Sequence, residues 1–144
     1  MSKSSRTRDD AKALTEFAMA LYQLVESVRG EHEEAAALVG LTVAQASILT
    51  LLVEPLSMRR LAEQMGCDAS NITGIVDRLE AKGLVERVVL PSDRRVKSIT
   101  QTALGKDAVE KFQRQIVRTS SLASLSPVAR QNLIAALKRV RGAT

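Results

Sequence analysis

The chain has 144 residues, enough for one compact domain with an apolar core. Hydrophobic residues make up 45% of it but aromatic residues only 2%, so the core has to be built from Leu, Ile, Val and Ala, as in packed helices. The single cysteine, Cys67, excludes an internal disulfide, and no apolar run reaches the roughly 20 residues that a membrane span needs. Because the polar N-terminus also lacks a signal-peptide pattern, we expect a cytoplasmic protein.

The net charge of +5 indicates attraction to polyanions, of which DNA is the commonest. The excess is uneven along the chain. Residues 1–54 contain 5 Lys/Arg against 8 Asp/Glu, residues 55–100 contain 8 against 6, and residues 101–144 contain 8 against 2. Bulk charge is therefore a weak argument, and motifs have to decide the function.

The N-terminal part of the chain predicts an arm followed by a long helix. Residues 1–10 are predicted to be disordered, because nothing in them could bury a face. Over residues 11–40, apolar side chains recur at steps of three and four, which predicts an amphipathic helix that Gly30 kinks or ends, with Gly40 as a further stop. We expect this helix to dimerise, because a small domain has no need of so long an apolar stripe.

Three shorter helices are predicted next. Thr42 and Gln45 have the spacing of a capping box, which opens the second helix. Ser57 and Asp68 are N-cap residues for a third and a fourth helix. Both helices have apolar residues at i, i+3, i+4 and i+7, which gives each one buried stripe.

A β-hairpin and two more helices complete the prediction. Residues 84–90 are rich in β-branched side chains, and residues 96–101 supply a returning strand after a polar turn. Thr102 and Ser126 are predicted to cap the fifth and sixth helices, so residues 102–144 form C-terminal dimerisation helices. The predicted fold class is mainly α, with six helices and a small β-wing.

Residues 41–101 together predict a winged helix-turn-helix, a DNA-binding arrangement in which the second helix of the pair enters the major groove. The face of the fourth helix away from its apolar stripe carries Ser70, Asn71, Thr73, Gly74, Asp77 and Arg78. The hairpin tip carries Arg94, Arg95 and Lys97, cations suited to the narrow minor groove and to phosphates. We expect Asp93 to pair with Arg87 or Arg95 and so to stiffen the wing.

The sequence resembles the MarR (multiple antibiotic resistance regulator) family from about Leu14 to about Val140. The most specific segments are residues 69–87 and 91–95, supported by Thr102 with Gly105 and by residues 40–49. The resemblance implies a homodimer in which the first helix and the last two interlock, while two winged regions bind a pseudo-palindromic site. It implies major-groove contacts by Ser70, Asn71, Thr73 and Arg78. It implies minor-groove contacts by Arg95 together with Arg94. It also implies repression relieved by a small-molecule effector.

Several alternatives remain open at this stage. The polar face could be only a solvated surface, the winged module could mediate protein–protein assembly, and a DNA-binding member could lack an effector pocket. Cys67 could sense oxidants, but the role of a small buried turn residue is favoured. His32 has three acidic neighbours, yet adjacent helical side chains diverge, so we expect no metal. No nucleophile–base–acid set and no phosphate loop is recognisable, so we expect neither an enzyme nor a cofactor.

Overall fold

The computed structural model describes residues 3–89 and 97–142. Over these residues the chain forms six α-helices, three strands and a 3-10 helix (Ser121–Ser124). The helices are α1 (Lys3–Leu38), α2 (Val43–Leu51), α3 (Met58–Met65), α4 (Ala69–Ala81), α5 (Ala103–Thr119) and α6 (Pro127–Gly142). The strands are β1 (Leu56–Ser57), β2 (Val85–Val89) and β3 (Lys97–Gln101). The predicted fold class, mainly α with six helices and a small β-wing, is confirmed.

The chain divides into two compact units. The winged unit comprises residues 32–117, and the terminal unit combines residues 1–31 with residues 118–144. The boundary at residue 31 lies inside α1, whereas the sequence placed the start of the DNA-binding region at residue 41. The reason is that Ala35 and Ala36, in the last turns of α1, are completely buried in the core of the winged unit.

The winged unit is held together by an aliphatic core between α2, α3, α4 and the sheet. The largest fully buried side chains are Ile48, Leu49, Leu52, Leu61, Ile72, Val76, Leu79 and Ile99. Burial of each such side chain contributes about 1.5–3 kcal/mol relative to exposure. The core residues of α4 follow the predicted i, i+3, i+4, i+7 spacing, so the opposite face of that helix is left at the surface.

The predicted helix starts in the winged unit are confirmed by their hydrogen bonds. Thr42 Oγ1 accepts from the Gln45 N–H (3.2 Å), and Gln45 Oε1 accepts from the Thr42 N–H (3.0 Å), which completes the capping box. Ser57 and Asp68 cap α3 and α4 through their side chains alone, which accept from the N–H groups of Arg60 and Asn71, respectively. Between these two helices Gly66 adopts a left-handed conformation (φ +62°), which turns the chain.

The sheet has one strand more than the sequence predicted. The strand order is β1-β3-β2, antiparallel throughout, with both Leu56 and Arg87 opposite Ile99. The two-stranded hairpin is therefore an incomplete prediction. A strand of two residues is too short to show a period-two pattern, so β1 has no recognisable signal in the sequence.

The start of α5 is fixed by close contacts with the end of the α4–β2 connection. Thr102 Oγ1 donates to the carbonyl of Gly83 (2.7 Å) and accepts from the N–H of Gly105 (3.1 Å). A Cβ atom added to Gly105 would lie 2.0 Å from the Leu84 carbonyl oxygen, so only glycine fits here. Gln101 Nε2 donates to the carbonyl of Leu49 and ties the end of β3 to α2.

The terminal unit is helical from Lys3, which corrects the predicted disordered arm over residues 1–10. Once a long helix is nucleated, each added residue costs little, and this segment contains no Gly or Pro to stop it. Gly30 lies within α1 and does not end it. Many apolar side chains of the unit are exposed: Leu14, Phe17, Met19, Tyr22, Val25, Val128, Ile134, Leu137 and Val140.

Two capping contacts organise the C-terminal part of the terminal unit. Glu31 Oε1 accepts from the Ser121 N–H (3.0 Å) and from the Ser27 hydroxyl (3.4 Å), which ties the 3-10 helix to α1. The Ser121 bond foremost holds the pKa of Glu31 below its ordinary value. Ser126 Oγ accepts from the Ala129 N–H (3.2 Å), as predicted for the start of α6.

Among the described helices, none is by itself long and apolar enough to cross a membrane. The pair formed by α1 from Arg8 and by α2 meets that test on length and composition alone.

Candidate nucleic-acid interface

The outer face of α4 is the centre of the candidate interface. The core holds Ile72, Ile75, Val76 and Leu79 beneath it. On the opposite side the predicted face lies at the surface: Ser70, Asn71, Thr73, Asp77 and Arg78 are exposed and Gly74 is partly exposed. A rigid helix with a short polar face can approach the edges of base pairs in a major groove, which is wide enough to admit it.

Hydrogen bonds at the N-terminus of α4 decide what its hydroxyl groups can offer a ligand. Asp68 Oδ1 accepts from the Asn71 N–H (2.8 Å) and from the Ser70 hydroxyl (2.7 Å). These two bonds, the backbone one foremost, hold the pKa of Asp68 below its ordinary value. The Thr73 hydroxyl donates to the carbonyl of Ala69 (2.8 Å). In this arrangement both hydroxyl oxygens point lone pairs outward, so each can accept a hydrogen bond from the amino group of a base. A hydroxyl that rotates away from its present acceptor can instead donate to a phosphate.

Asp77 is engaged by a cation from the sheet. Arg87 lies in the middle of β2, and its Nη2 is 2.6 Å from Asp77 Oδ1. Its Nη1 bonds to Glu80 Oε2. The sequence predicted Asp77 as a DNA-facing residue and Asp93 as one choice of partner for Arg87. The feature of the sequence that could have revealed this contact is the i, i+3 spacing of Asp77 and Glu80, which puts two carboxylates on one side of α4.

The wing is described only at its base. Lys97 begins β3 opposite Val89 and is exposed. The predicted wing-tip residues Asp93, Arg94 and Arg95 lie outside the described residues.

Two further cations that sequence reasoning missed lie on α3. The side chains of Arg59 and Arg60 are 88% and 66% exposed and share one acid, Glu63, at 3.0 Å and 3.5 Å. One carboxylate cannot neutralise two guanidinium groups, so this end of α3 keeps a positive charge. The signal in the sequence was an Arg pair in the first turn after the Ser57 cap, on the first helix of the pair, which crosses the DNA backbone in helix-turn-helix proteins.

The cations near the end of α4 differ in availability. Lys82 Nζ donates to the carbonyl of Gly40 (2.7 Å) and ties the end of α4 to the α1–α2 turn. Arg78 is exposed on the polar face of α4. Both side chains line a surface cavity of about 710 Å³ next to Thr42. Arg78 is therefore the cation of α4 that can reach out from this face.

A second cavity, of about 290 Å³, lies within the winged unit. It is lined by His32, Ser47, Thr50, Leu51, Gln64, Met65 and Phe112. The rings of His32 and Phe112 meet edge to face, with centroids 5.9 Å apart. The cavity combines aromatic and aliphatic walls with hydroxyl and amide groups, a mixture typical of small-molecule sites.

The residues singled out for metal or redox chemistry have other surroundings. Among the described residues, no three or more His, Cys, Asp or Glu side chains come together as a metal site. Cys67 is partly buried, and its thiol lies 3.5 Å from the carbonyl oxygen of Met65.

Comparisons with known proteins agree with this architecture. A sequence profile described as MarR family matches residues 41–97. The chain is 31% identical over 137 residues to an uncharacterized HTH-type transcriptional regulator, YdgJ, of Bacillus subtilis (strain 168), covering 91% of this chain and 82% of YdgJ. CouR from Rhodococcus jostii RHA1, solved with bound p-coumaroyl-CoA, is 30% identical with a TM-score of 0.73 over 86% of this chain and 90% of CouR.

A third comparison concerns the fold. MepR of S. aureus, solved as a mutant bound to an oligodeoxyribonucleotide, is 19% identical with a TM-score of 0.60, over 88% of this chain and 96% of MepR. The relatives are transcriptional regulators and not enzymes. The helix pair, the wing and the match to YdgJ over most of both chains lead to one assignment: this chain belongs to the MarR family of DNA-binding transcriptional regulators.

Proposed function

We propose that this protein is a homodimeric repressor that binds a pseudo-palindromic duplex DNA site and releases it when a small effector binds. The observation that carries the proposal is the exposed polar face of α4, held by the aliphatic core beside a β-hairpin. This is the arrangement that places one helix in a major groove and a wing beside it. A regulator of this kind acts in the cytoplasm, where the bacterial chromosome lies.

The proposed DNA contacts divide by chemistry. In the major groove we assign base-edge contacts to Ser70, Asn71, Thr73 and Arg78, with Gly74 permitting close approach. We assign Arg94 and Arg95 to the minor groove and Lys97 to a phosphate. Arg59 and Arg60, exposed at the start of α3, add phosphate contacts. We do not assign a base contact to Asp77, because its carboxylate is already paired with Arg87.

The proposed homodimer is supported by the terminal unit. Phe17 is 64% exposed and Val140 is 73% exposed, and they are two of many such apolar side chains on α1 and α6. A second copy of the chain would bury these side chains, with the helices of the two copies interlocking about a two-fold axis. In this arrangement residues 11–40 and 102–144 form the dimer, and residues 41–101 bind DNA. Two-fold symmetry then requires two half-sites about one helical turn apart.

The proposed effector site is the cavity lined by His32, Thr50 and Phe112. Its volume of about 290 Å³ lies at the lower limit of drug-sized pockets, so it fits one small ring or the reactive end of a larger ligand. CouR, a relative at 30% identity, is solved with p-coumaroyl-CoA. An aromatic acid or its thioester is therefore the first class to screen, by its ability to displace the protein from DNA.

The function is tested by selecting random duplex DNA with the purified protein and titrating the selected sequence at several salt concentrations. We expect an inverted repeat, bound by one dimer, with affinity that falls steeply with salt as phosphate contacts release counterions. Arg8→Ala on α1, an exposed position outside the proposed DNA contacts and dimerisation segments, is the control for loss of a charge alone. Absence of any enriched sequence, together with a partner protein bound at the α4 face, would contradict the proposal and favour an assembly module.

A further inference from the structure

The winged unit contains a charged cluster that DNA recognition by itself does not explain. It consists of Asp77 and Glu80 on α4 and Arg87 on β2, and is called here the Arg87 clamp. Each terminal nitrogen of the guanidinium bonds a different carboxylate: Nη2 bonds Asp77 (2.6 Å), and Nη1 bonds Glu80. The side chain of Arg87 is 29% exposed, that of Asp77 is 56% exposed and that of Glu80 is 39% exposed. The clamp thus lies at the edge of the core and joins α4 to the sheet.

The charge of the clamp is wrong for a DNA contact. Two carboxylates and one guanidinium give the cluster a net charge of about −1, beside the helix that the proposed function places in the groove, where phosphates repel it. As electrostatics alone, the cluster weakens DNA binding. A favourable contribution has to come from geometry, since the guanidinium fork holds two carboxylates in fixed directions and the single ammonium of a lysine does not.

We propose that Arg87 is a positioning residue that fixes the hairpin of β2 and β3 to α4, so that the helix and the wing reach one half-site together. The inference rests on the proposed function and deepens it. Arg87 pairs with Ile99, a fully buried residue in the middle of β3. The ion pairs of Arg87 therefore fix the middle of the sheet relative to α4. The clamp therefore couples the orientation of both strands to the orientation of α4.

The first test uses the DNA-free protein. Arg87→Lys keeps the charge but loses the fork, and Asp77→Asn removes one of its partners. Glu86→Gln, an exposed neighbour on β2, is the matched control for loss of an acid. We expect the backbone amides of β2 and β3 to exchange with deuterium several-fold faster in both clamp variants and unchanged in the control, with exchange in α2 and α3 unaltered. Unchanged exchange in β2 and β3 would overturn the clamp, whatever the protein binds.

The second test separates geometry from charge on the DNA selected by the wild-type protein. If Asp77 only repels phosphates, Asp77→Asn raises affinity. If the clamp positions the wing, Asp77→Asn and Arg87→Lys both lower affinity, by about two- to fivefold for an ion pair of this exposure, and weaken minor-groove protection more than major-groove protection. Tighter or unchanged binding by Asp77→Asn would overturn the positioning role. Failure of the wild-type protein to select any DNA would instead contradict the proposed function, and the exchange experiment would still decide on the clamp.

Discussion

The winged unit and the terminal unit are built from the same aliphatic residues but use them in opposite ways. Among the residues whose side chains are described, every buried apolar one belongs to residues 32–117. In the terminal unit none is fully buried, and large residues such as Phe17 and Val140 face outward. One unit thus completes its core within a single chain, and the other does not.

This difference predicts where the stability of each unit comes from. A unit with a closed core has a free energy of unfolding that does not depend on protein concentration. A unit with exposed apolar helices gains its stability from association, and so its apparent stability rises with concentration. Substitutions placed in the two units should therefore have different signatures.

The largest expected effect comes from making the same substitution in both units. In the winged unit, Gly105→Ala puts a Cβ atom 2.0 Å from a backbone oxygen, and we expect a loss of about 3 kcal/mol or more in the free energy of unfolding. In the terminal unit, Gly30→Ala meets no atom within 4 Å inside one chain, and we expect a gain of about 0.5–1 kcal/mol. Thermal unfolding followed by circular dichroism measures both. A destabilising Gly30→Ala would place a partner chain against that position.

The next largest effect tests the open face of the terminal unit. Phe17→Glu places a charge in the proposed dimer interface, and we expect a loss of about 2–4 kcal/mol in dimerisation free energy, as for an aromatic hot spot. Val53→Glu puts the same charge on an apolar side chain that is 83% exposed in the winged unit, outside the proposed dimerisation segments, and is the control. Sedimentation of both variants gives the dimer dissociation constant. A Phe17→Glu protein that stays dimeric would show that another surface holds the copies together.

The sequence predicted the features of both units that depend on neighbouring residues. The N-caps of α2, α3, α4 and α6 and the apolar stripe of α4 rest on residues three to seven positions apart, and all are present. Their physical cause is local, because a helix repeats its faces every 3.6 residues.

The features that could not be predicted from the sequence depend on contacts between distant residues, or on the small free-energy cost of extending a helix that is already formed. Arg87 reaches Asp77 ten residues away, and Gln101 reaches the carbonyl of Leu49 across 52 residues. Such pairs require the packing of α4 and α2 against the sheet to be known first. The helical start at Lys3 was missed because polar composition does not prevent a helix from extending once it is nucleated.

A smaller effect is expected at the tip of the wing. Arg95→Ala should weaken operator binding by about 1–3 kcal/mol and lower the slope of log affinity against log salt by about 1, because one cation leaves the DNA. Arg8→Ala, at an exposed position of α1 outside the proposed DNA contacts and dimerisation segments, should leave both quantities unchanged. Fluorescence anisotropy at four salt concentrations measures them. Equal losses in the two variants would show that net charge, and not the wing, determines the affinity.

The smallest effect compares one acid in each unit. The pKa values of Asp68 and Glu31 are lowered by hydrogen bonds from backbone N–H groups and hydroxyls. A lowered folded-state pKa adds stability that is present above the unfolded-state value of about 4 and is lost as the pH falls through the folded-state value.

Asp68→Asn keeps a good N-cap, and Glu31→Gln keeps an acceptor for Ser121, so each should mainly flatten the decline of stability below about pH 4. Melting temperatures at pH 3 and pH 6 measure this, at two protein concentrations. We expect the Asp68 effect to be independent of concentration and the Glu31 effect to depend on it, because the proposed second copy covers only the terminal unit. The reverse pattern would mean that the two units are not stabilised in the way proposed.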